Sequence, residues 1–280
     1  MPPNCVRLND SLAIDKTEIA NIHWLEYLYY LKVDSSDNDF KSAQLDSSAF
    51  PNYGSSPSKI SNYLHSPEFR YYPVTGVTYE QAVSYCKWRS AIVNNRLNEK
   101  SEFPVQYNYR LPTEKEWEFS ASGGLDLKTY PFGIEEYLIR PTLLEKSKKY
   151  YSQLKDTTSL TLKQFKIIYN DSKKRKQEAV FNVVHKFPLG IKYGTNRPIS
   201  IHEKSNITES ASTIRQLKFN KFGTTDMVGN VSEMVAEKGI AKGGSWAHDL
   251  QSSQINQRQY YKKPEAWLGF RCICDVITKK

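Results

Sequence analysis

Cysteine is scarce in this chain and unevenly placed. The 280 residues hold four, Cys5, Cys86, Cys272 and Cys274, and none lies between Cys86 and Cys272. Four thiols do not make a disulfide framework at this size. Cys272 and Cys274 are two apart, so on a strand they share a side and are badly placed to bridge each other. Cys5 and Cys86 stand isolated, and no apolar leader precedes Cys5 to mark it as a lipid anchor. No Cys/His group has the spacing of a zinc site. Long apolar runs are missing too. None approaches the roughly 18 residues that cross a bilayer, so no transmembrane segment is expected. The N-terminus lacks a charged-then-apolar signal segment. The chain is expected in the cytoplasm, or in the periplasm or cell envelope if a leader precedes it.

What is present points to an irregular globular fold. Nineteen Tyr, five Trp and 13 each of Gly and Pro favour a loop-rich structure over a helical bundle. Aromatic residues at 13% supply a core, so disorder is excluded for most of the chain. Charge is concentrated. Between Arg140 and Lys176, eleven Lys and Arg stand against three Asp and Glu, which is nearly all of the net +9. The basic surface therefore belongs to one insertion, about 134–180, with helical periodicity in Leu160, Phe165, Ile168 and Tyr169. Lys148-Lys149 and Lys173-Lys174-Arg175-Lys176 suit an acidic partner, and the chain has no nucleic-acid motif. A solvated charged helix is the plainer reading.

Local signals place the other elements. V-R-L, N-D and L-A-I near the N-terminus read as an edge strand and turn. Thr17 to Leu31 reads as a helix, with Asn21 as N-cap and Trp24, Leu25, Leu28 and Leu31 on its apolar face. Residues 33–66 read as a long surface excursion. Thr78 with Gln81 three residues on is a capping box that starts a helix Tyr79 to Ile92. Asn108 to Arg110 reads as a strand. Thr113 caps a helix with Glu114 and Glu116 in its first turn, and Gly123-Gly124 end it. Phe181 to Pro188 reads as a strand or extended loop, and 189–218 as polar and irregular.

The organising stretch runs from Asp226 to Arg271. D-M-V-G-N-V-S-E-M, G-I-A-K-G-G-S-W and L-G-F-R are three glycine-containing blocks, marking sharp bends or close backbone approach. In the first, two carboxylates seven apart bracket a glycine turn, which suits an oxygen-ligated cation such as Ca²⁺. A capped turn beside a solvated Glu233 is the alternative from spacing alone. Between the second and third blocks lies W-A-H-D-L-Q-S-S-Q-I-N-Q-R.

Together the blocks resemble a family. E-I-A-N-I-H-W-L-E-Y-L, Y-P-V-T-G-V-T-Y-E-Q-A-V-S-Y-C-K-W, Y-R-L-P-T-E-K-E-W-E-F-S-A-S-G-G, Y-P-F-G, F-G-T-T-D-M-V-G-N-V-S-E-M, K-G-G-S-W and L-G-F-R-C occur in the order of the formylglycine-generating enzyme, or sulfatase-modifying factor, family. The likeness spans about residues 12–275. It implies a single α+β domain, irregular and related to C-type lectins. It implies calcium held by side-chain oxygens of Asp226 and Glu233 and by the carbonyls of Gly229 and Val231. A second calcium site would involve Asn182 and the Val183 carbonyl, but its later acidic ligand has no match here.

Active members hold Cu(I) between two cysteines shortly after G-G-S-[WY] and use it with O₂ to oxidise a substrate cysteine. Counting from Gly243-Gly244, those positions fall on His248 and Ser253. Two thiolates cannot be supplied, so copper is not expected. The iron motif H-x-x-x-H-x-E of related sulfoxide synthases is missing as well. Arg110, Arg258 and Arg271 read as buried arginines that tie loops together, and Cys272 and Cys274 as core. The expectation is a non-catalytic, calcium-stabilised binding or scaffold domain for a protein, peptide or glycan ligand. Cysteine-lacking members of this kind occur in bacterial cell-envelope proteins, including gliding-motility and secretion lipoproteins. The alternatives are an enzyme of another reaction type using His248, Asp249 and Ser253, or an oxidase that departs from the family's copper site.

Overall fold

A β-hairpin opens the chain because Asn9 makes the turn locally: its side-chain oxygen accepts from the Ser11 backbone N–H at 2.9 Å. The computed structural model describes residues 1–46, 49, 63–99, 105–128, 130–133, 137–139, 166–169, 181–184, 214, 220–248 and 252–278. Its strands in chain order are β1 (Cys5–Asn9), β2 (Leu12–Asp15), β3 (Val105–Arg110), β4 (Tyr137–Ile139), β5 (Lys166–Tyr169), β6 (Phe181–Val184), β7 (Ser232–Met234), β8 (Ile240–Lys242), β9 (Gln259–Tyr260), β10 (Leu268–Gly269) and β11 (Ile273–Thr278). The helices are α1 (Asn21–Asp34), α2 (Asp37–Ser42), α3 (Tyr79–Asn98) and α4 (Glu114–Ser122).

The fold is α+β with open sheets. One antiparallel sheet has the order β1-β2-β11-β3, so the last strand closes between the first hairpin and β3. A second has the order β10-β7-β8-β9, with β10 parallel to β7. A third, β4-β6-β5, is antiparallel. None of the helices among the described residues is long and apolar enough to cross a membrane. The core between α1, α3 and the first sheet is aromatic. Trp24 stacks on Tyr85 at 5.7 Å between ring centroids, and Phe270 meets both edge-on. Such pairs add to the large area each ring buries.

The capping signals are where the sequence places them. The Thr78 hydroxyl accepts from Gln81 N–H at 3.1 Å, and the Gln81 side chain accepts from Thr78 N–H at 2.8 Å. Thr113 and Glu116 make the same box at α4, and Gly123 ends that helix at φ 59°. The ends of α1 and α3 differ from expectation. α1 starts at Asn21, with Ala20 as its N-cap. Thr17 to Ile19 lead into it as extended core instead: Ile19 N–H donates to Phe270 O, and Val74 N–H donates to Ile19 O. The Asn21 amide does not cap. It donates to the carbonyls of Tyr63 and Phe69 at 3.1 and 3.0 Å. α3 runs past Ile92 to Asn98 because Asn94 bonds both backbone groups of Tyr107 on β3. Within the 33–66 excursion, Ser36 and Asp39 form a capping box that starts α2.

The basic insertion is corrected where it is described. Lys166–Tyr169 is strand, not helix, and pairs with β6. Its Ile-Ile-Tyr run suits a strand, where β-branched and aromatic side chains pack on a pleated surface. Leu160, Phe165 and the lysine clusters at 148–149 and 173–176 lie outside the described residues, as does 189–213.

Cysteine placement is also corrected in one respect. Cys86 is not isolated: its Sγ lies 3.4 Å from that of Cys272. All four cysteines are free and buried, as core packing at Cys272 and Cys274 requires. Cys5 lies 3.4 Å from an oxygen of Asp15, which is itself bound at two points by Arg89.

Candidate functional site

Three blocks that are separate in sequence meet in space. Gly229 N–H donates to Gly243 O at 2.9 Å, and Trp246 N–H donates to Asn230 O at 3.0 Å, which ties the first block to the second. Ser232 N–H donates to Trp267 O at 2.9 Å, and β7 pairs with β10, which brings in the third. The backbone bends sharply to do this. Asp226, Asn230, Gly243 and Gly244 all have φ between 54° and 88°. At Gly244 no side chain fits: a Cβ there would stand 1.9 Å from Ser253 Oγ.

The segment between the second and third blocks folds onto the Gly244-Ser245 dipeptide. Ser253 is fully buried against Gly244. His248 sits on Ser245: Nδ1 is 2.6 Å from Ser245 Oγ, and the imidazole meets the Trp267 ring edge-on at 4.7 Å. Ser245 is itself fully buried, and its hydroxyl oxygen accepts from Ala247 N–H at 3.1 Å. Gln259 locks the arrangement by accepting from Gly244 N–H at 3.0 Å while donating to Ser252 O. His248 and Ser253 thus flank one dipeptide. Asp249 lies outside the described residues.

This donor set does not fit Cu(I). A soft ion takes thiolates, and the two positions offer an imidazole and a buried hydroxyl. The cysteines do not substitute for them. Burial pushes the thiols of Cys5 and Cys272 up, and that of Cys274 up to about 12, so they stay protonated near neutral pH.

The acidic block behind this segment is buried and charged. Glu233 accepts from both Arg271 Nε and Nη2 at 2.6 Å and from Trp117 Nε1 at 2.7 Å. Arg271 further donates to the carbonyls of Asp15, Lys16 and Thr225. Glu18, which the sequence offers only as the start of a helix block, lies in the same place. Its Oε1 accepts from Asn230 Nδ2 at 3.0 Å. Burial first, and the Asp226 charge second, hold its carboxyl well above the usual carboxylate range. Gly229 and Val231 lie on the turn between Asp226 and Glu233. The chemistry fits an oxygen-liganded cation only in part: among the described residues no three His, Cys, Asp or Glu side chains form a metal-holding group, and the Glu233 carboxylate is already committed to Arg271 and Trp117. Asn182 and Val183 fall on β6, and the side chain of Asn182 is outside the described residues.

The other arginines divide. Arg110 is half-buried rather than buried, and it bridges Glu116 and Asp275 at 2.7 and 2.8 Å. Arg258 is corrected: its side chain is 49% exposed, and it pairs with Glu114 at the surface. Glu114 also accepts from the fully buried Lys242. A cavity of about 270 Å³ opens elsewhere, lined by His23, Glu26, Trp88 and Arg96 among others, and neither His248 nor Ser253 contributes to it.

Comparisons with known proteins match the chain to one family. Residues 1–276 match the sulfatase-modifying factor enzyme 1-like domain. The chain is 39% identical over 62 residues to the bovine (Bos taurus) inactive C-alpha-formylglycine-generating enzyme 2, covering 22% of this chain and 15% of that protein. It is 36% identical over 73 residues to bovine formylglycine-generating enzyme, covering 26% and 14%. The match thus spans well under a fifth of these relatives' own length. Among solved structures, PvdO from Pseudomonas aeruginosa aligns over 94% of this chain and 80% of its own, with 16% identity and a TM-score of 0.49. The chain belongs to the formylglycine-generating-enzyme family of sulfatase-modifying-factor domains.

Proposed function

We propose that this chain is a non-oxidising member of its family, a calcium-stabilised binding or scaffold domain that takes a protein or peptide ligand, or a glycan, of the cell envelope. One observation carries the reading. The two positions that would hold copper are His248, hydrogen-bonded to Ser245, and Ser253, sealed against Gly244. Neither supplies a thiolate, and the four cysteines are buried in the core. A similar protein is described as an inactive C-alpha-formylglycine-generating enzyme, which supports the reading. The family's loops lack a regular scaffold, which gives a bound cation a structural task.

The short Ser245–His248 contact favours a second reading, a hydrolytic enzyme with Ser245 as nucleophile. Burial of Ser245 and its acceptance from Ala247 N–H favour a local turn instead.

The test is to incubate the full chain with copper, reductant, O₂ and a panel of cysteine-containing peptides and glycans. Binding is followed by fluorescence anisotropy and products by mass spectrometry. The expected result is binding of a subset with the cysteine unchanged. Conversion of cysteine to formylglycine, or no binding to any member, would overturn the proposal.

A further inference from the structure

One face of α3 looks into the cavity of about 270 Å³. Tyr85, Trp88, Ile92 and Arg96 recur every three or four residues, so they share that face, and all four line the space. The other walls come from Ile19, from His23 and Glu26 on α1, and from Pro3 and Asn4. The inside is mostly apolar, with one polar group that stands out. Tyr85 is 3% exposed, and no hydrogen bond joins its hydroxyl to another described residue. Burial pushes this phenol up, so it keeps its proton. Arg89 also lines the cavity but is spent: it binds Asp15 at two points and donates to Pro3 O at 3.0 Å. His23 is neutral, since its Nδ1 accepts from Ala20 N–H at 3.1 Å. The charges that remain are the exposed Glu26 and Arg96. Glu26 and Tyr30 are four apart on α1, and Arg96 donates to the Tyr30 hydroxyl, so the cation stands beside the acid's own helix face. One acid and one base thus share the mouth. The volume is near the lower end of ligand pockets, about 300–1,000 Å³, which suits a single ring and not a nucleotide.

We infer that this cavity binds a free aromatic α-amino acid with a hydroxyl at its tip, of which tyrosine is the fitting example. Its ammonium meets Glu26 and its carboxylate meets Arg96. The ring lies against the apolar wall of Trp88, Ile92 and Val93. The phenol oxygen reaches the Tyr85 hydroxyl and gives that buried group the partner it lacks. A rim with one charge of each sign selects a zwitterion. A simple anion would face Glu26, and a simple amine would face Arg96. Neither His248 nor Ser253 lines the cavity, so this site stands apart from the one described above.

Calorimetric titration of the full chain tests it, with L-tyrosine, L-phenylalanine, tyramine and 3-(4-hydroxyphenyl)propionate as probes. The wild type is expected to bind one L-tyrosine per chain with a Kd below about 1 mM. L-Phenylalanine should bind about tenfold more weakly, because it leaves the Tyr85 hydroxyl unpaired. Tyramine and the propionate each lack one charge and should bind about fivefold more weakly, as contacts at an exposed rim allow. Glu26→Gln should weaken L-tyrosine by about the same factor and leave the propionate no weaker. Arg96→Gln should weaken L-tyrosine and leave tyramine no weaker. Tyr85→Phe should abolish the preference for L-tyrosine over L-phenylalanine. If that buried change unfolds the chain, the two exposed variants still decide the matter. No saturable binding of L-tyrosine by the wild type would overturn the proposal. So would L-tyrosine affinity unchanged in both Glu26→Gln and Arg96→Gln, or L-phenylalanine bound as tightly as L-tyrosine.

Discussion

Gly244 carries the tightest constraint around the segment that holds His248 and Ser253. Its φ of 64° disfavours any side chain, and a Cβ would meet Ser253 Oγ at 1.9 Å and Ser253 Cα at 2.8 Å. Trimming the hydroxyl alone does not relieve a clash with Cα. We expect Gly244→Ala to destabilise the fold by about 3 kcal/mol in denaturant unfolding, and Gly244→Ala with Ser253→Ala to recover only part of it. An unchanged midpoint for Gly244→Ala would refute this packing. At this scale the sequence was legible where partners are close. Thr78 with Gln81 and Thr113 with Glu116 could be read directly, because a capping box needs only four residues. The Glu18–Asn230 contact joins residues 212 apart, and no local pattern announces it. The charge on Glu233 was visible in the sequence, but its commitment to Arg271 was not.

Helix α4 shows how elements are anchored here. Its first turn carries two acids whose partners come from elsewhere in the chain. Hydrogen bonds from Arg258, then from Lys242, hold Glu114 down to about 2. Hydrogen bonds from Arg110 do the same for Glu116, also to about 2. Both groups bind protons more weakly folded than unfolded, where the ordinary value is 4.5. The unfolded chain therefore takes up more protons in this range, and stability falls as pH falls. The contribution is intact above about 4.5 and is lost towards about 2. Unfolding free energies measured across that window should decline with acid, and Glu116→Gln should flatten part of the slope. A variant with the wild-type slope would remove Glu116 from the account. Element type was mostly readable from periodicity and caps, while element ends were not. α3 reaches Asn98 because Asn94 grips β3, a tertiary contact. Lys166–Tyr169 became strand because β6 pairs with it, and pairing outweighs a helical period in a short apolar run.

Across the whole molecule, the ordered glycine blocks proved the most informative signal. They marked backbone that must bend and pack closely, and the structure brings all three together through Gly229–Gly243, Asn230–Trp246 and Ser232–Trp267. What the chain does with that frame depends on the residues it presents, and the sequence already gave those as His248 and Ser253. The burial of Cys5 and Cys86 needed the structure, whereas Cys272 and Cys274 already read as core. It leads to a direct expectation: a thiol reagent added to the folded chain near neutral pH should modify none of the four, and all four after unfolding. Rapid labelling of any cysteine in the native state would contradict their placement.

Cu(I) titration against a competing chelator addresses the central claim most directly. The wild-type chain should hold no tight thiolate-bound copper, and His248→Cys with Ser253→Cys should gain one such ion on the same frame. One tight, thiolate-bound Cu(I) per wild-type chain would contradict the account.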